Sequence, residues 1–247
     1  MAANEFSKTQ IDRLGDRLKK GDITDDDLRL LDTYRRSFSE AYEIVVGCIR
    51  DEMAMEPTGR RAKSTSSISD KLRRESIRLT QIQDIAGCRL IVSNIAAQEN
   101  VLESLKGIFE NVTVVDRRKQ PSHGYRAVHA IVSYSGKVVE IQIRTVLQQL
   151  WAEMSEKFSD VVEPAIKYGG GDENIQKLLS NGSFLVDSLE SLEVKLDTAQ
   201  AKSTDDKNQQ AVFVREQVNF KNMEQEVHKL LQSLTADAEK FSILRSE

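Results

Sequence analysis

The sequence predicts an α+β chain, a mixed sheet flanked by helices with helical extensions at both ends, and three observations carry that expectation. Four short runs of strand type fall within residues 88–144, and a helical stretch separates the first two, an order that builds an α+β core rather than a stack of βαβ units. On either side of this block, apolar residues recur at spacings of three and four. Only three prolines and twelve glycines occur in 247 residues, too few for a loop-rich all-β chain.

The elements follow in order. Phe6, Ile11, Leu14 and Leu18 share a face over 5–20, and Gly21 ends that helix. Thr24 with Asp25-Asp26-Asp27 reads as an N-cap with carboxylates in the first turn, where the helix dipole favours them. From there one long helix is expected as far as Met53, stopped by Pro57 and Gly59. The Ser/Thr run at 64–67 caps a short helix carrying Ile68, Lys71 and Leu72. Thr80 is expected to cap another, ending at Gly87. Strands are expected at 88–92, 111–115, 126–134 and 137–144, the last two joined by a Ser135-Gly136 turn, with helices over 96–109 and 146–160. Beyond Gly169-Gly170-Gly171, two leucine- and valine-lined helical faces flank a polar break at 201–210, the pattern of an antiparallel helical hairpin. Three segments result: a helical extension at 1–56, a central domain at 57–168 and a C-terminal hairpin at 169–247.

Composition narrows the function. At 39% hydrophobic and 30% charged residues the chain can bury a core, and no run approaches the ~18 apolar residues of a membrane span. The first residues lack the layout of a signal peptide, and Cys48 and Cys88 are too few for a disulfide framework. A reducing, cytoplasmic compartment is expected. The net charge of −4 hides a basic centre, since residues 57–126 carry 13 Lys and Arg against 7 Asp and Glu. A basic segment in an acidic chain points to a local anion site.

The chemistry concentrates on few residues. In 138–144 Val139, Ile141 and Ile143 alternate with Glu140, Gln142 and Arg144, which places an acid, an amide and a guanidinium about 7 Å apart along one strand face. His129 stands among the apolar Val128, Ala130 and Ile131 of the neighbouring strand, and hairpin pairing brings it beside that row. Tyr125 follows a glycine and offers an aromatic face near cations, a platform for a base. Asp84 and Arg89 flank the entry to the first strand, while Arg61, Lys63 and Lys71 surround a Ser/Thr-rich helix start. Cations at a helix N-terminus hold phosphate, and a pair of acids, Asp84 and Glu140, suits a Mg²⁺-bound polyphosphate. Walker A, protein-kinase and Rossmann signatures are missing.

In order and spacing, Gly59-Arg60-Arg61-Ala62-Lys63, Ser67-Ile68-Ser69-Asp70-Lys71, Asp84-Ile85-Ala86-Gly87-Cys88-Arg89, Gly124-Tyr125-Arg126-Ala127-Val128-His129, Val139-Glu140-Ile141-Gln142-Ile143-Arg144-Thr145 and Trp151-Ala152-Glu153 resemble the synthetase domain of the RelA/SpoT family, over about residues 58–157. The resemblance implies a nucleotidyltransferase-like fold and transfer of pyrophosphate from ATP to the 3′-hydroxyl of GDP or GTP, with release of AMP, the reaction of the stringent response. It implies that Arg61, Lys63, Ser67, Lys71 and Arg89 hold ATP, that Asp84 and Glu140 bind Mg²⁺, and that Glu140 also activates the acceptor hydroxyl. Tyr125 would stack on the acceptor base, with His129 and Gln142 near the acceptor.

The chain departs from the family pattern in four places: Asp116-Arg117-Arg118-Lys119 stands where Asp-Tyr with following lysines is usual, Pro121 where a lysine is usual, Ala127 where a serine is usual, and Ser155-Glu156 where Glu-His is usual. The ATP half is intact and the acceptor half is altered. In size and layout the chain resembles a small stand-alone synthetase. Two other readings remain at this stage. One is a toxic small synthetase, held in check by an antitoxin-like partner, that modifies the 3′ end of tRNA or another nucleotide; the basic loop Arg117-Arg118-Lys119 suits either the guanine-nucleotide or the tRNA acceptor. The other is a catalytically retired interaction protein. The hairpin over 172–240 has no acid–base–cation constellation and is expected to serve assembly or regulation, through a second copy or an inhibitory partner.

Overall fold

The computed structural model describes residues 6–59, 62–202 and 207–244. A four-stranded mixed sheet forms from β1 (Ala86–Val92), β2 (Val112–Asp116), β3 (Val128–Tyr134) and β4 (Lys137–Thr145), in the order β1-β4-β3-β2. The helices are α1 (Lys8–Lys20), α2 (Asp25–Arg36), α3 (Ser39–Met53), α4 (Thr65–Arg74), α5 (Ile95–Ile108), α6 (Val146–Val161), α7 (Glu173–Lys202) and α8 (Lys207–Leu244). The α+β expectation is met. Among the described residues no helix is long and apolar enough to cross a membrane.

The chain divides into two compact units. The first takes the described residues up to Leu90, with Leu102–Val115 and His129–Gln142; the second takes Ile91–Val101, Asp116–Val128 and the described residues from Ile143 onward.

In the first unit, Leu14, Leu18, Val45, Ile49, Ile68, Leu72, Val139 and Ile141 are buried, so the periodicities read from the sequence face a common interior. Thr24 caps α2 in a full capping box with Asp27. Asp27 also accepts from Arg17 Nε at 3.0 Å through both oxygens, and this hydrogen bonding pulls its carboxyl down to about 2. The single long helix expected from Thr24 to Met53 is two helices. At Ser37-Phe38 the Ser37 hydroxyl donates back to the Tyr34 carbonyl at 2.6 Å, the chain turns, and Phe38 is driven into the core at 3% exposure. The helix expected after Thr80 is a 3-10 turn, Leu79–Gln81. Thr80 donates its hydroxyl and its amide to Asp12 of α1, at 2.6 and 3.2 Å, which ties this turn to α1. Gly87, expected at the end of that helix, lies inside β1. A Cβ there would meet the Glu140 carbonyl oxygen at 2.8 Å, so the glycine lets β1 approach β4.

In the second unit, α6 is capped by Thr145 in a capping box with Gln148, and it packs on α7 and α8. Trp151, Met154, Leu179, Val186, Leu189 and Leu231 form its core. The two helices of the hairpin run antiparallel, as the pairing of Gln200 with Gln217 and of Glu193 with Glu224 shows.

Candidate active site

The first unit gathers Lys63, Ser67, Lys71, Asp84, Arg89, His129, Glu140 and Gln142; Arg61 lies outside the described residues. Ser64 caps α4, accepting from the Ser67 amide at 3.3 Å and donating to the Ser67 hydroxyl at 2.8 Å. The helix therefore presents a capped, electropositive N-terminus next to Lys63. Lys63 Nζ donates to Asp84 Oδ2 at 2.6 Å, and Lys71 Nζ, almost two turns into α4, donates to Oδ1 at 2.9 Å. Burial alone would raise the Asp84 carboxyl; the two ammoniums outweigh it and hold the group below the usual carboxylate range.

Glu140 is bonded at both oxygens. Gln142 Nε2 donates to Oε2 at 2.8 Å from two residues along β4, and His129 Nδ1 on β3 lies 2.9 Å from Oε1. Only 12% of the Glu140 side chain is exposed. Burial and the charge of Asp84 push its carboxyl up, the His129 and Gln142 bonds pull it down, and the net direction is down. Two carboxylates of one unit thus feel each other's charge and both stay ionised at neutral pH. The row expected from the alternation of β4 exists, with Val139, Ile141 and Ile143 fully buried behind it. Cys88 adds no chemistry: burial, and then the Glu140 charge, lift its thiol to about 12. Arg89 sits on β1, its backbone bridged to Thr58.

Tyr125 belongs to the second unit. Ser122 and Tyr125 exchange backbone bonds at 3.2 and 3.0 Å around His123 and Gly124, whose φ angles of 52° and 86° give a tight primed turn. Gly124 is required twice over, because a Cβ would also strike the Trp151 ring at 2.7 Å. Arg144 Nη2 donates to the Tyr125 hydroxyl at 3.0 Å, and its guanidinium lies 5.0 Å from the ring centroid. Its Nη1 donates to Gln149 at 2.9 Å, so β4 and α6 together fix the ring.

Sequence reasoning missed what braces this turn. On α7 the Ser183 hydroxyl donates to the Gly124 carbonyl at 2.7 Å and accepts from Arg126 Nε at 3.1 Å. Arg126 Nη1 donates to Asp187 and to the Arg118 carbonyl, both at 2.8 Å. The partners are 57 to 61 residues apart, and no local pattern marks them. The hairpin expected to serve assembly or regulation alone therefore also holds the Tyr125 segment. A second expectation changes: Arg118 is not a cation open to an acceptor. Its guanidinium is spent on Asp116, Glu99 and Gln98, and 14% of its side chain is exposed.

Residues 60–159 match the family model described as a region found in RelA / SpoT proteins. GTP pyrophosphokinase YwaC of Bacillus subtilis is 34% identical over 148 residues, which cover 53% of this chain and 68% of that protein. The chain belongs to the RelA/SpoT family. Its fold is that of the crystal structure of small alarmone synthetase 1 from Bacillus subtilis, with a TM-score of 0.52 at 27% identity over 73% of this chain and all of that one. An uncharacterized protein of Mycobacterium tuberculosis is 38% identical over 112 residues, 44% of this chain; the match spans only 41% of that relative's length. The RelA/SpoT match ends before α7, so Ser183 and Asp187 lie outside the family region although they brace a segment within it.

Proposed function

We propose that this RelA/SpoT-family chain is a transferase that moves the β,γ-pyrophosphate of ATP to the 3′-hydroxyl of a guanine nucleotide, GDP or GTP, and releases AMP. The observation that carries the reading is the ionised pair Asp84 and Glu140 in one unit with Lys63 and Lys71. The residues fit Mg²⁺. Among the described residues no group of three or more His, Cys, Asp or Glu could hold a metal, and a hard cation bound through one or two carboxylates plus substrate phosphates needs none. Asp84 and Glu140 would hold the ion, which when bound supplies charge neutralisation on the transferred phosphates.

Lys63, Lys71 and the α4 N-terminus hold the ATP phosphates, with Ser67, Arg89 and Arg61 completing that half. Both lysines reach Asp84, so they pass from carboxylate to phosphate by small side-chain rotations. Glu140 accepts the proton of the acceptor 3′-hydroxyl. The freed oxygen bonds to the β-phosphorus, the bond from that phosphorus to the α,β-bridging oxygen breaks, and AMP leaves with that oxygen. His129 and Gln142 keep the carboxylate ionised and aimed near the acceptor. Tyr125, fixed by Arg144, stacks on the acceptor base.

Full engagement of Arg118 supports a mononucleotide acceptor over the tRNA end, because the basic loop keeps fewer cations for an RNA backbone. The exposed Phe184, Val212, Val214 and Val218 of the hairpin support a contact with a second copy or an inhibitory partner. Incubation with γ-labelled ATP, Mg²⁺ and, in parallel, GDP, GTP, ATP or deacylated tRNA tests the acceptor. Label on GDP or GTP is expected; label on tRNA alone, or on no acceptor, overturns the reading.

A further inference from the structure

Away from the acidic pair, the first unit holds a cavity of about 270 Å³ beside the turn that joins β3 to β4. Its wall is largely aromatic and aliphatic, with Phe6, Tyr34 and Phe38 supplying three rings. The ammonium of Lys137, the first residue of β4, stands 4.8 Å from the Phe38 centroid and 5.4 Å from those of Phe6 and Tyr34. Ring faces attract a cation but do not neutralise it. Burial is the influence felt by this ammonium, and among the described residues no carboxylate stands against it. Lys8 and Thr80 also line the cavity. Asp12, whose charge acts on Tyr34, is already bonded to the amide and hydroxyl of Thr80. Burial lifts the Tyr34 phenol to about 12, so it stays protonated and can donate. Arg78 Nη1 stands 3.7 Å from Asp12 and takes up that charge, so the chamber leaves the Lys137 ammonium without a carboxylate partner among the described residues.

We propose that this cavity binds a small aromatic carboxylate of one or two rings, its ring body against the aromatic and aliphatic wall and its carboxylate on Lys137 Nζ. The volume argues for that size. Drug-sized ligands and cofactors occupy ~300–1,000 Å³, and this cavity lies just below that range, the size of one or two fused rings. The aromatic wall selects rings over an aliphatic acid, and the ammonium selects an acid over a neutral compound. The proposal stands apart from the reaction assigned above, and its test needs no turnover.

The probe is 2-naphthoate, titrated into the full chain by calorimetry, with the neutral 2-naphthylmethanol in parallel and Lys137→Met as the variant. Methionine keeps apolar bulk among the three rings, and an unchanged thermal unfolding curve checks the fold. Saturable binding of the acid is expected, weaker by about tenfold or more for the alcohol and for Lys137→Met, the range of one hydrogen bond to a charged group. Nuclear Overhauser contacts from the naphthyl protons to the rings of Phe6, Tyr34 and Phe38 in the wild-type chain locate the site independently of the variant. No saturable binding, equal affinity for acid and alcohol, equal affinity in a folded Lys137→Met, or contacts to other residues would overturn the proposal.

Discussion

In the first unit each buried acid is answered. Asp84 meets two ammoniums, Glu140 meets a histidine and an amide, Asp27 meets Arg17, and all three carboxyls lie below their usual range. In the second unit Asp116 is answered in the same way by Arg118, but two acids on α7 are not. Glu190 is buried and bonded by neutral groups, Thr145 and Gln148, and its carboxyl is raised. Burial and the charges of Glu224 and Asp197 lift Glu193 to about 7. The difference separates two tasks. On the proposed function, the paired acids with lysines nearby hold charge ready for phosphate and a divalent cation. In the second unit Arg144 and the α7 brace position the Tyr125 ring and its turn.

The largest effect is expected in the first unit. Glu140→Gln keeps the shape of β4 but cannot take a proton or bind a cation with full charge, so the rate falls by at least ~10²-fold. Steady-state turnover with circular dichroism as a folding check decides it. A folded variant at near wild-type rate removes Glu140 from the chemistry.

Tyr125→Ala probes the other side of the comparison. Loss of a base stack of ~1–3 kcal/mol weakens acceptor affinity by about 5- to 150-fold. ATP affinity is expected to hold, and equal losses for both ligands would dissolve the division between the units.

Smaller again is the effect of loosening the brace. Asp187→Asn removes the charge from the bond to Arg126, so the acceptor KM rises by about tenfold or less while kcat and the ATP KM stay close to wild type. Ser183→Ala moves them the same way, and Asp187→Glu restores part of the loss. A fall in kcat with unchanged acceptor KM would show that the brace does not act through the acceptor.

How much of this could be read in the sequence depends on distance along the chain. The β4 row was legible because strand alternation alone puts Glu140 and Gln142 on one face, and His129 needed only a hairpin. Lys63, Lys71 and Asp84 span 13 to 21 residues and carry a family pattern. The break at Ser37-Phe38 was not legible, because the apolar spacing continues through it and the turn comes from one serine hydroxyl and the burial of one ring. Nor was the fate of Arg118: a basic loop looks the same in sequence whether its cations are offered or consumed. Ser183 and Asp187 sit on a helix whose leucines announce only its packing.

The smallest expected effect concerns pH. A raised acid contributes stability that is full below its unfolded value and is lost as pH rises through the folded one; for Glu193 that window runs from about 4.5 to about 7. A lowered acid does the reverse. Asp27 contributes stability above 3.8 that is lost as pH falls toward about 2. Glu193→Gln is therefore expected to raise stability toward urea at pH 7.5 and to leave it unchanged at pH 4. A gain of equal size at both values would remove the acid crowding assigned to the second unit.

The central claim is that intact pyrophosphate leaves ATP for the acceptor and that Glu140 enables it. ATP labelled at the α-phosphate and, separately, at the γ-phosphate tests it most directly, with GDP and Mg²⁺, in the wild type and in Glu140→Gln. The expected result is α-label in AMP and γ-label on the guanine nucleotide at equal rates in the wild type, with both nearly abolished in the variant. Alpha-label in ADP, or γ-label released as free phosphate, would contradict the claim.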